Sequence, residues 1–393
     1  MLAGVSVSYS RRSVLGIGAA LLAAGFGTAR AAISGAVAGP VAGGAPAMRL
    51  PRFPDLAMVP DGNGFLLPPG FTSRVIAQSG QAVPGTTYTF LNNPDGAGIV
   101  PSSDGGWWLL WNGESPKGGG GVAALRFAPN GAVAAAAGVL TGLNRACAGG
   151  VTPWGTWLAC EEVDHGTVWE VDPTGVRSST QHVSMGRFAH EAAAVDGVRR
   201  VIYLSEDEPD GLFYRYRYAD SSLAGGMLEA AVVDDGGAVK WLQIPDPSAA
   251  TVQCRAQVAA TPFKGGEGLC IMDGRLVFLT TKGDNRVWRY DVVDERMDVL
   301  YQPSPGSVLA GVDNIGVTPG HDLLVCEDGG NMELVAVELS GRSSVVARLT
   351  GQSGSELTGV NVSPDGRRVY VGSQRAISAT QGIVYELTGP FPW

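Results

Sequence analysis

From about residue 52 onward the chain alternates short apolar runs with tight polar turns. Residues 107–111 form one predicted strand, after the turn Ser103-Asp104-Gly105-Gly106, and residues 122–127 form a second, closed by Pro129-Asn130-Gly131. Residues 167–171 lead into Asp172-Pro173-Thr174-Gly175, residues 201–205 into Glu206-Asp207, and residues 212–218 alternate aromatics with arginines. Residues 275–280 and 286–292 flank Lys282-Gly283-Asp284-Asn285, and runs at 323–326, 334–339, 368–371 and 383–387 continue the series. Short β-branched and aromatic runs bounded by Gly, Asp, Asn and Pro are strand signals. Helical periodicity is largely absent; residues 132–140 are helical by composition, but their setting fits strand and loop better.

The strands recur as a unit: apolar run, Asp-Gly turn, second run, polar turn, third run. Turn landmarks at Gly274, Gly320 and Gly366 stand 46 residues apart. Earlier spacings are less even, and residues 220–250 leave room for an insertion. Three or four strands in roughly 40–50 residues is the signature of a propeller blade, and about 340 residues hold six or seven such blades. A large β-sandwich is the competing architecture, and it shows no long-period repeat. The expected fold is therefore all-β, a β-propeller in a single domain over residues 52–393.

The N-terminus has another character. Ser10-Arg11-Arg12-Ser13-Val14-Leu15 resembles a twin-arginine export pattern, an apolar run follows through Phe26, and Ala29-Arg30-Ala31 fits a small-residue cleavage site. Residues 1–31 are thus expected to be an export signal read by the twin-arginine machinery, which puts the mature protein in the periplasm or outside the cell. The apolar run is too short for a stable membrane span, and no later run approaches one. Residues 32–51 are rich in Ala, Gly and Pro and are expected to be a flexible segment.

Composition narrows the partners. Charged residues make up 17% of the chain and the net charge is −9, with no basic stripe, so nucleic acid is not an expected partner. An acidic surface repels phosphate esters, so an enzyme acting on them needs local cations. Five cysteines (Cys147, Cys160, Cys254, Cys270 and Cys326) match no zinc ribbon and leave an odd thiol in an exported chain.

The densest chemistry lies in residues 147–162, Cys-Ala-Gly-Gly-Val-Thr-Pro-Trp-Gly-Thr-Trp-Leu-Ala-Cys-Glu-Glu. Glycines and a proline constrain the backbone, while a thiol and a carboxylate pair offer soft and hard ligands. Other candidate ligands are scattered: Glu114, Glu191, Glu206, Asp207, Glu267, Glu327, Asp328 and Glu356. A lone cysteine is ordinarily a small buried side chain, and a carboxylate beside glycine is ordinarily a solvated turn residue. Recurrence near the ends of strands is what points to metal, because a propeller brings loops from every blade to one end of its channel. Carboxylates suit calcium, and a thiolate suits iron or another transition metal. His190 adjoins Glu191 and is a candidate to orient it, with a buried structural histidine as the alternative. No Gly-x-Ser-x-Gly elbow is present, and Lys117-Gly118-Gly119-Gly120-Gly121 lacks the order of a nucleotide loop.

Residues 147–162 resemble the signature of the PhoX family of secreted bacterial alkaline phosphatases. Similar pieces occur in the family's order at Asn92-Asn93-Pro94-Asp95-Gly96, Trp111-Asn112-Gly113-Glu114, Gly186-Arg187-Phe188-Ala189-His190-Glu191, Gly266-Glu267-Gly268, Asp313-Asn314, Glu327-Asp328-Gly329 and Ser355-Glu356-Leu357-Thr358-Gly359. The resemblance implies a six-bladed β-propeller, hydrolysis of phosphomonoesters, and iron and calcium cofactors with the thiolate on iron. Carried over by residue, Cys147, Glu162, Glu191 and Glu267 fall on the family's ligand motifs. Glu114 and Glu356 lie in similar pieces, and Glu161 and Asp207 come next. Arg187, Lys264 and Lys282 are the expected phosphate contacts.

Two departures matter. The family carries an arginine two positions before the glutamate matched by Glu267, and here that position is Gly265. Trp111-Asn112-Gly113-Glu114 also stands where an Asn-His-Glu is more usual. The alternatives are a calcium-dependent lactonase-like or phytase-like propeller hydrolase, or a non-catalytic propeller that binds a small ligand or a protein.

Overall fold

The apolar runs fold as strands, and in the computed structural model, which describes residues 52–393, the strands group into six antiparallel sheets. The export signal expected over residues 1–31 and the segment 32–51 lie outside the described residues. Blade 1 is Pro94–Pro101, Trp107–Gly113, Gly120–Phe127 and Val133–Leu143. Blade 2 is Ala146–Val151, Trp157–Glu161, Val168–Val171 and Thr180–His182. Blade 3 has five strands, His190–Asp196, Val201–Glu206, Phe213–Arg217, Met227–Val233 and Val239–Gln243. The fifth strand and the excursion after it account for the insertion expected near residues 220–250. Blade 4 is Gly266–Met272, Leu276–Thr281, Arg286–Asp291 and Arg296–Tyr301. Blade 5 is Val312–Val317, Leu323–Glu327, Glu333–Val337 and Ser343–Leu349, edged by Phe65–Leu66.

Blade 6 closes the ring. Its strands Leu357–Val362, Arg368–Ser378 and Gln381–Thr388 accept Thr72–Gln78 as the outer strand, with Thr72 opposite Thr388. Hydrogen bonds thus tie the beginning of the described chain to its end and supply the outer strand that completes the sixth blade. The fold is a six-bladed β-propeller. Among the described residues the only helical turns are the 3₁₀ segments Val183–Met185 and Cys254–Ala256. No described helix is long and apolar enough to cross a membrane.

Stability comes from between the blades. Six apolar layers fill the six interblade spaces, one with Leu110, Val122, Trp157 and Val171 between blades 1 and 2, another with Leu324, Leu334, Val371 and Tyr385 between blades 5 and 6. Each buried side chain of this size contributes about 1.5–3 kcal/mol, and the second and third strands supply a large share of them. Those are the strands predicted from the apolar runs. Residues 132–140 lie in the outermost strand of blade 1, Val133–Leu143, as their setting suggested.

The first strand of each blade lines the axis and was not predicted from the pattern of apolar runs. Each packs on the next, and Leu357–Val362 returns to Pro94–Pro101. Six strands converging on one axis leave little room for side chains. A Cβ at Gly96 would overlap the backbone of Ala148, and one at Gly150 would overlap the carbonyl of Ala193. The axial strands therefore carry Gly or Ala at points of closest approach, residues that carry little strand propensity.

Candidate metal centre

The axial strands share one irregularity near their start: two residues face one on the partner strand. The facing sets are Asp95-Gly96 against Asn112, Cys147-Ala148 against Cys160, and Glu191-Ala192 against Ser205. They continue with Glu267-Gly268 against Thr280 and Asp313-Asn314 against Cys326. A β-bulge re-aims a side chain, and here it turns Asp95, Cys147, Glu191, Glu267 and Asp313 into one cavity of about 200 Å³ at the mouth of the channel. Blade 6 bulges at Gly359-Val360 instead, and it supplies Glu356 from just before its axial strand.

A second series comes from the residue just past the second strand of blades 1 to 5. Glu114, Glu162, Asp207, Lys282 and Asp328 line the same cavity. Strand alternation sorts the acidic pairs of the sequence. In Glu161-Glu162, Glu206-Asp207 and Glu327-Asp328 the second member faces the cavity and the first serves the fold. Glu161 accepts from the Asn144 backbone at 3.0 Å, Thr167 Oγ1 at 2.8 Å and Trp169 Nε1 at 3.1 Å. Glu206 is held by Arg255, Tyr214 and the Leu212 amide. Glu327 caps the amides of Ala310 and Glu333. Glu161, an expected ligand, is thus a structural residue.

The bulges are locked by small polar side chains opposite them. Asn112 Nδ2 donates to the Ala148 carbonyl of the next blade at 2.7 Å and its Oδ1 accepts from Trp157 Nε1 at 2.8 Å. Ser205 Oγ donates to the Glu267 carbonyl at 2.6 Å, and Thr280 Oγ1 to the Asp313 carbonyl at 2.6 Å. In these three blades the side chain opposite the bulge fixes the neighbouring blade's backbone at or beside its ligand residue. Cys160 and Cys326 occupy this same position in blades 2 and 5 and are fully buried, which accounts for two of the five free thiols without metal.

Three groups of donor atoms meet within 4.8 Å: Cys147 with Glu162 and Glu191, Asp95 with Glu114 and Glu356, and Glu191 with Glu267 and Asp313. Glu191 belongs to two of them. The cavity gathers nine carboxylates and a thiol against three cations, Arg145, Lys282 and Arg375. Burial, reinforced by neighbouring carboxylates, pushes Asp95, Glu191, Glu267 and Asp313 well above the usual carboxylate range. The same forces raise Glu162 to about 7, and Glu356 to about 8 in spite of Arg375. Burial and the surrounding acids also push the Cys147 thiol up, and its Sγ donates to Glu191 Oε1 at 3.1 Å. Asp95 Oδ1 is buried with no partner among the described residues. Buried carboxylates this close repel unless they hold protons or share a cation, and a set of oxygens with one sulfur is the donor chemistry of hard and soft metals together. The residues therefore fit a mixed metal cluster.

Of the three cations expected, only Lys282 lines the cavity. Lys282 Nζ reaches Asp207 Oδ2 at 2.6 Å and Glu267 Oε1 at 2.7 Å. Arg187 and Lys264 do not line the cavity. The backbone of Arg187 is bound to the blade 3 excursion, its amide donating to the Pro247 carbonyl, and Lys264 is exposed to solvent. In their place stand Arg145, 2.5 Å from Glu114 and 3.0 Å from Glu162, and Arg375, 2.7 Å from Glu356. Sequence reasoning singles out neither arginine, nor Asp95 and Asp313 as ligands, although both acids lie in pieces quoted above. The acids share one place, the second residue of an axial strand, and that is the signal that would have found them. His190 is fully buried, stacks on Phe188 and bonds the Gly186 carbonyl at 3.0 Å; burial lowers it to about 4. It is a neutral structural histidine and makes no hydrogen bond to Glu191.

The sequence pattern of the family described as alkaline phosphatase PhoX matches residues 121–164, 163–296 and 277–376. Among solved structures the chain is similar to Pseudomonas fluorescens PhoX in complex with vanadate, a transition state analogue. Identity is 16%, the TM-score is 0.68, and the match covers 85% of this chain and 98% of that one. A structural genomics protein of unknown function from Bacteroides thetaiotaomicron is similar at 10% identity and a TM-score of 0.54, over 81% of this chain and 76% of that one. At these identities the two structures speak for the fold. No curated protein sequence matches the chain significantly.

Proposed function

The chain belongs to the PhoX family of alkaline phosphatases, and from that premise we propose an iron- and calcium-dependent phosphomonoesterase whose acidic cavity holds the metals. The observation that carries the metal reading is the meeting of Cys147 with Glu162 and Glu191 inside a ring of buried carboxylates. Cys147, Glu162 and Glu191 would hold iron. Asp95, Glu114 and Glu356 would hold calcium, as would Glu267 and Asp313 with the shared Glu191. Bound there, the metals would supply positive charge to the phosphate oxygens and lower the pKa of the attacking water.

The chain's own residues do the rest. Cys147, whose Sγ donates to Glu191 Oε1 at 3.1 Å, would have to give up its proton to serve as a thiolate ligand; Glu191 would have to be ionised as well, so loading of this group would release protons to solvent. Arg145 and Arg375 now pair with Glu114, Glu162 and Glu356. Once those acids serve as ligands, both guanidinium groups are free to donate to phosphate oxygens at the mouth, with the planar fork suited to that shape. Arg145 keeps its charge because the Glu162 and Glu114 carboxylates outweigh the effect of burial. The axial backbone, fixed by Asn112, Ser205 and Thr280, keeps the acids from moving apart.

We also propose export, supported by Arg11-Arg12 ahead of an apolar run. Replacing both arginines with lysine is expected to retain the protein in the cytoplasm, read by fractionation. The test of function is elemental analysis and an aryl phosphate monoester assay on one sample, for the wild type and Cys147→Ala. Expected are iron, calcium and activity in the wild type. Cys147→Ala is expected to lose iron and at least about 100-fold in activity. A variant with full iron and full activity would overturn the thiolate role, and a wild type with calcium alone would favour a lactonase-like or phytase-like enzyme.

A further inference from the structure

Lys282 is the exception in its ring. The residue past the second strand is acidic in blades 1, 2, 3 and 5, namely Glu114, Glu162, Asp207 and Asp328, and in blade 4 it is a lysine. Its Nζ lies between two carboxylates, 2.6 Å from Asp207 Oδ2 and 2.7 Å from Glu267 Oε1. Asp207 joins none of the three groups of metal donors. The stem of Lys282 is accommodated by Gly265, whose φ of +63° and bare Cα leave it space. A Cβ at 265 would stand 2.8 Å from Lys282 Cγ and 3.4 Å from Asp207 Oδ1. The missing arginine at 265 and the lysine at 282 are thus two sides of one packing solution. The Lys282 amide also donates to the Gly265 carbonyl at 2.9 Å.

We propose that Lys282 is a resident cation that takes the place of a divalent ion between Asp207 and Glu267, so that removing its ammonium group opens an additional calcium site. The inference rests on the reading of the cavity as a metal cluster. An ammonium is a compact point charge with donors that turn freely, so it bridges two carboxylates as an ion would and keeps a further ion out by repulsion. Calcium is the ion expected after its removal, because the vacated donors are carboxylate oxygens on a cavity that admits water. Lys282 is then committed to the cluster and is a positioning residue, while Arg145 and Arg375 face the substrate phosphate.

The test compares calcium bound per chain in the mature wild type, Lys282→Gln and Lys282→Arg, by equilibrium dialysis and elemental analysis. Lys282→Gln is expected to bind about one calcium more than the wild type, and Lys282→Arg to keep the wild-type count. Adding Asp207→Asn to Lys282→Gln is expected to remove the additional ion. Asp207→Asn alone is expected to leave the wild-type calcium count unchanged, a check that holds even if Lys282→Gln folds poorly. Equal counts in wild type and Lys282→Gln would overturn the inference, and a KM raised about tenfold without added calcium would identify Lys282 as a phosphate ligand instead. Loss of a calcium in Asp207→Asn alone would overturn it too. Failure of the metal reading itself shows in the wild type's metal content, whereas the additional site shows only in the difference between proteins.

Discussion

The two ends of the axial channel are built from the same six strands and have opposite chemistry. At the mouth, the bulged strand starts turn acids and a thiol into a cavity of about 200 Å³. Below the bulges, the same strands line a wider space of about 410 Å³ with small residues, Ala97, Gly98, Gly149 and Gly316 among them, and with the aliphatic Ile99 and Ile271. One extra residue at each bulge separates the two regimes, because side chains of a strand alternate and a bulge resets which of them face the axis. Close packing of backbones demands small residues along the axis, while the acids that the axial strands give to the mouth stand at the bulges.

This contrast is open to direct attack. The largest expected effect is at the mouth: Glu191→Gln removes a donor shared by two groups. It is expected to lower metal content and to cut phosphomonoesterase activity by about 1,000-fold, beyond the scale of a lost supporting contact. The metal-free variant should melt no lower than the metal-free wild type, since a repelling buried acid has gone. In the lower region the effect falls on the fold instead. Gly150→Val would overlap the Ala193 carbonyl and is expected to cost about 3 kcal/mol by overpacking, read by denaturant melts. A Gly150→Val protein as stable as the wild type would break the distinction between the two ends.

A smaller effect is expected from pH. In the folded, metal-free chain, burial and neighbouring acids raise Glu162 to about 7 and Glu356 to about 8, against about 4.3 for an unfolded glutamate. The folded state therefore binds these protons more tightly than the unfolded one. Their stabilisation is complete below the unfolded value and is lost as pH rises through the folded values. Chelator-treated protein should lose melting temperature between about pH 5 and 9, and added calcium should remove the part of that loss that comes from Glu356. The smallest effect is expected from Cys270→Ser, on the wall of the wider space: within about 0.5 kcal/mol in stability, with activity unchanged.

Much of the outer architecture was legible in the sequence. Runs such as residues 107–111 and 323–326 became second strands because they carry the large apolar side chains that fill the interblade layers. The regular spacing of Gly274, Gly320 and Gly366 marks the same hairpin turn in blades 4, 5 and 6. The axial strands were not legible, because Gly, Ala and acid residues packed on an axis look like loop. Of the expected ligands, Cys147, Glu162, Glu191, Glu267, Glu114 and Glu356 meet in one cavity, while Glu161 turned to the fold.

By itself the sequence determined the class of fold, the approximate length of a blade and the kinds of ligand on offer. Local rules suffice for these, since strand propensity, turn chemistry and residue type act over a few neighbours. Only the tertiary structure decided which acid of each pair faces the channel, that Arg145 and Arg375 replace Arg187 and Lys264 at its mouth, and that Lys282 lies across Gly265 between two carboxylates. The physical reason is that these outcomes depend on bulge register and on the approach of one blade to the next. Both are set by backbone packing between residues far apart in the chain.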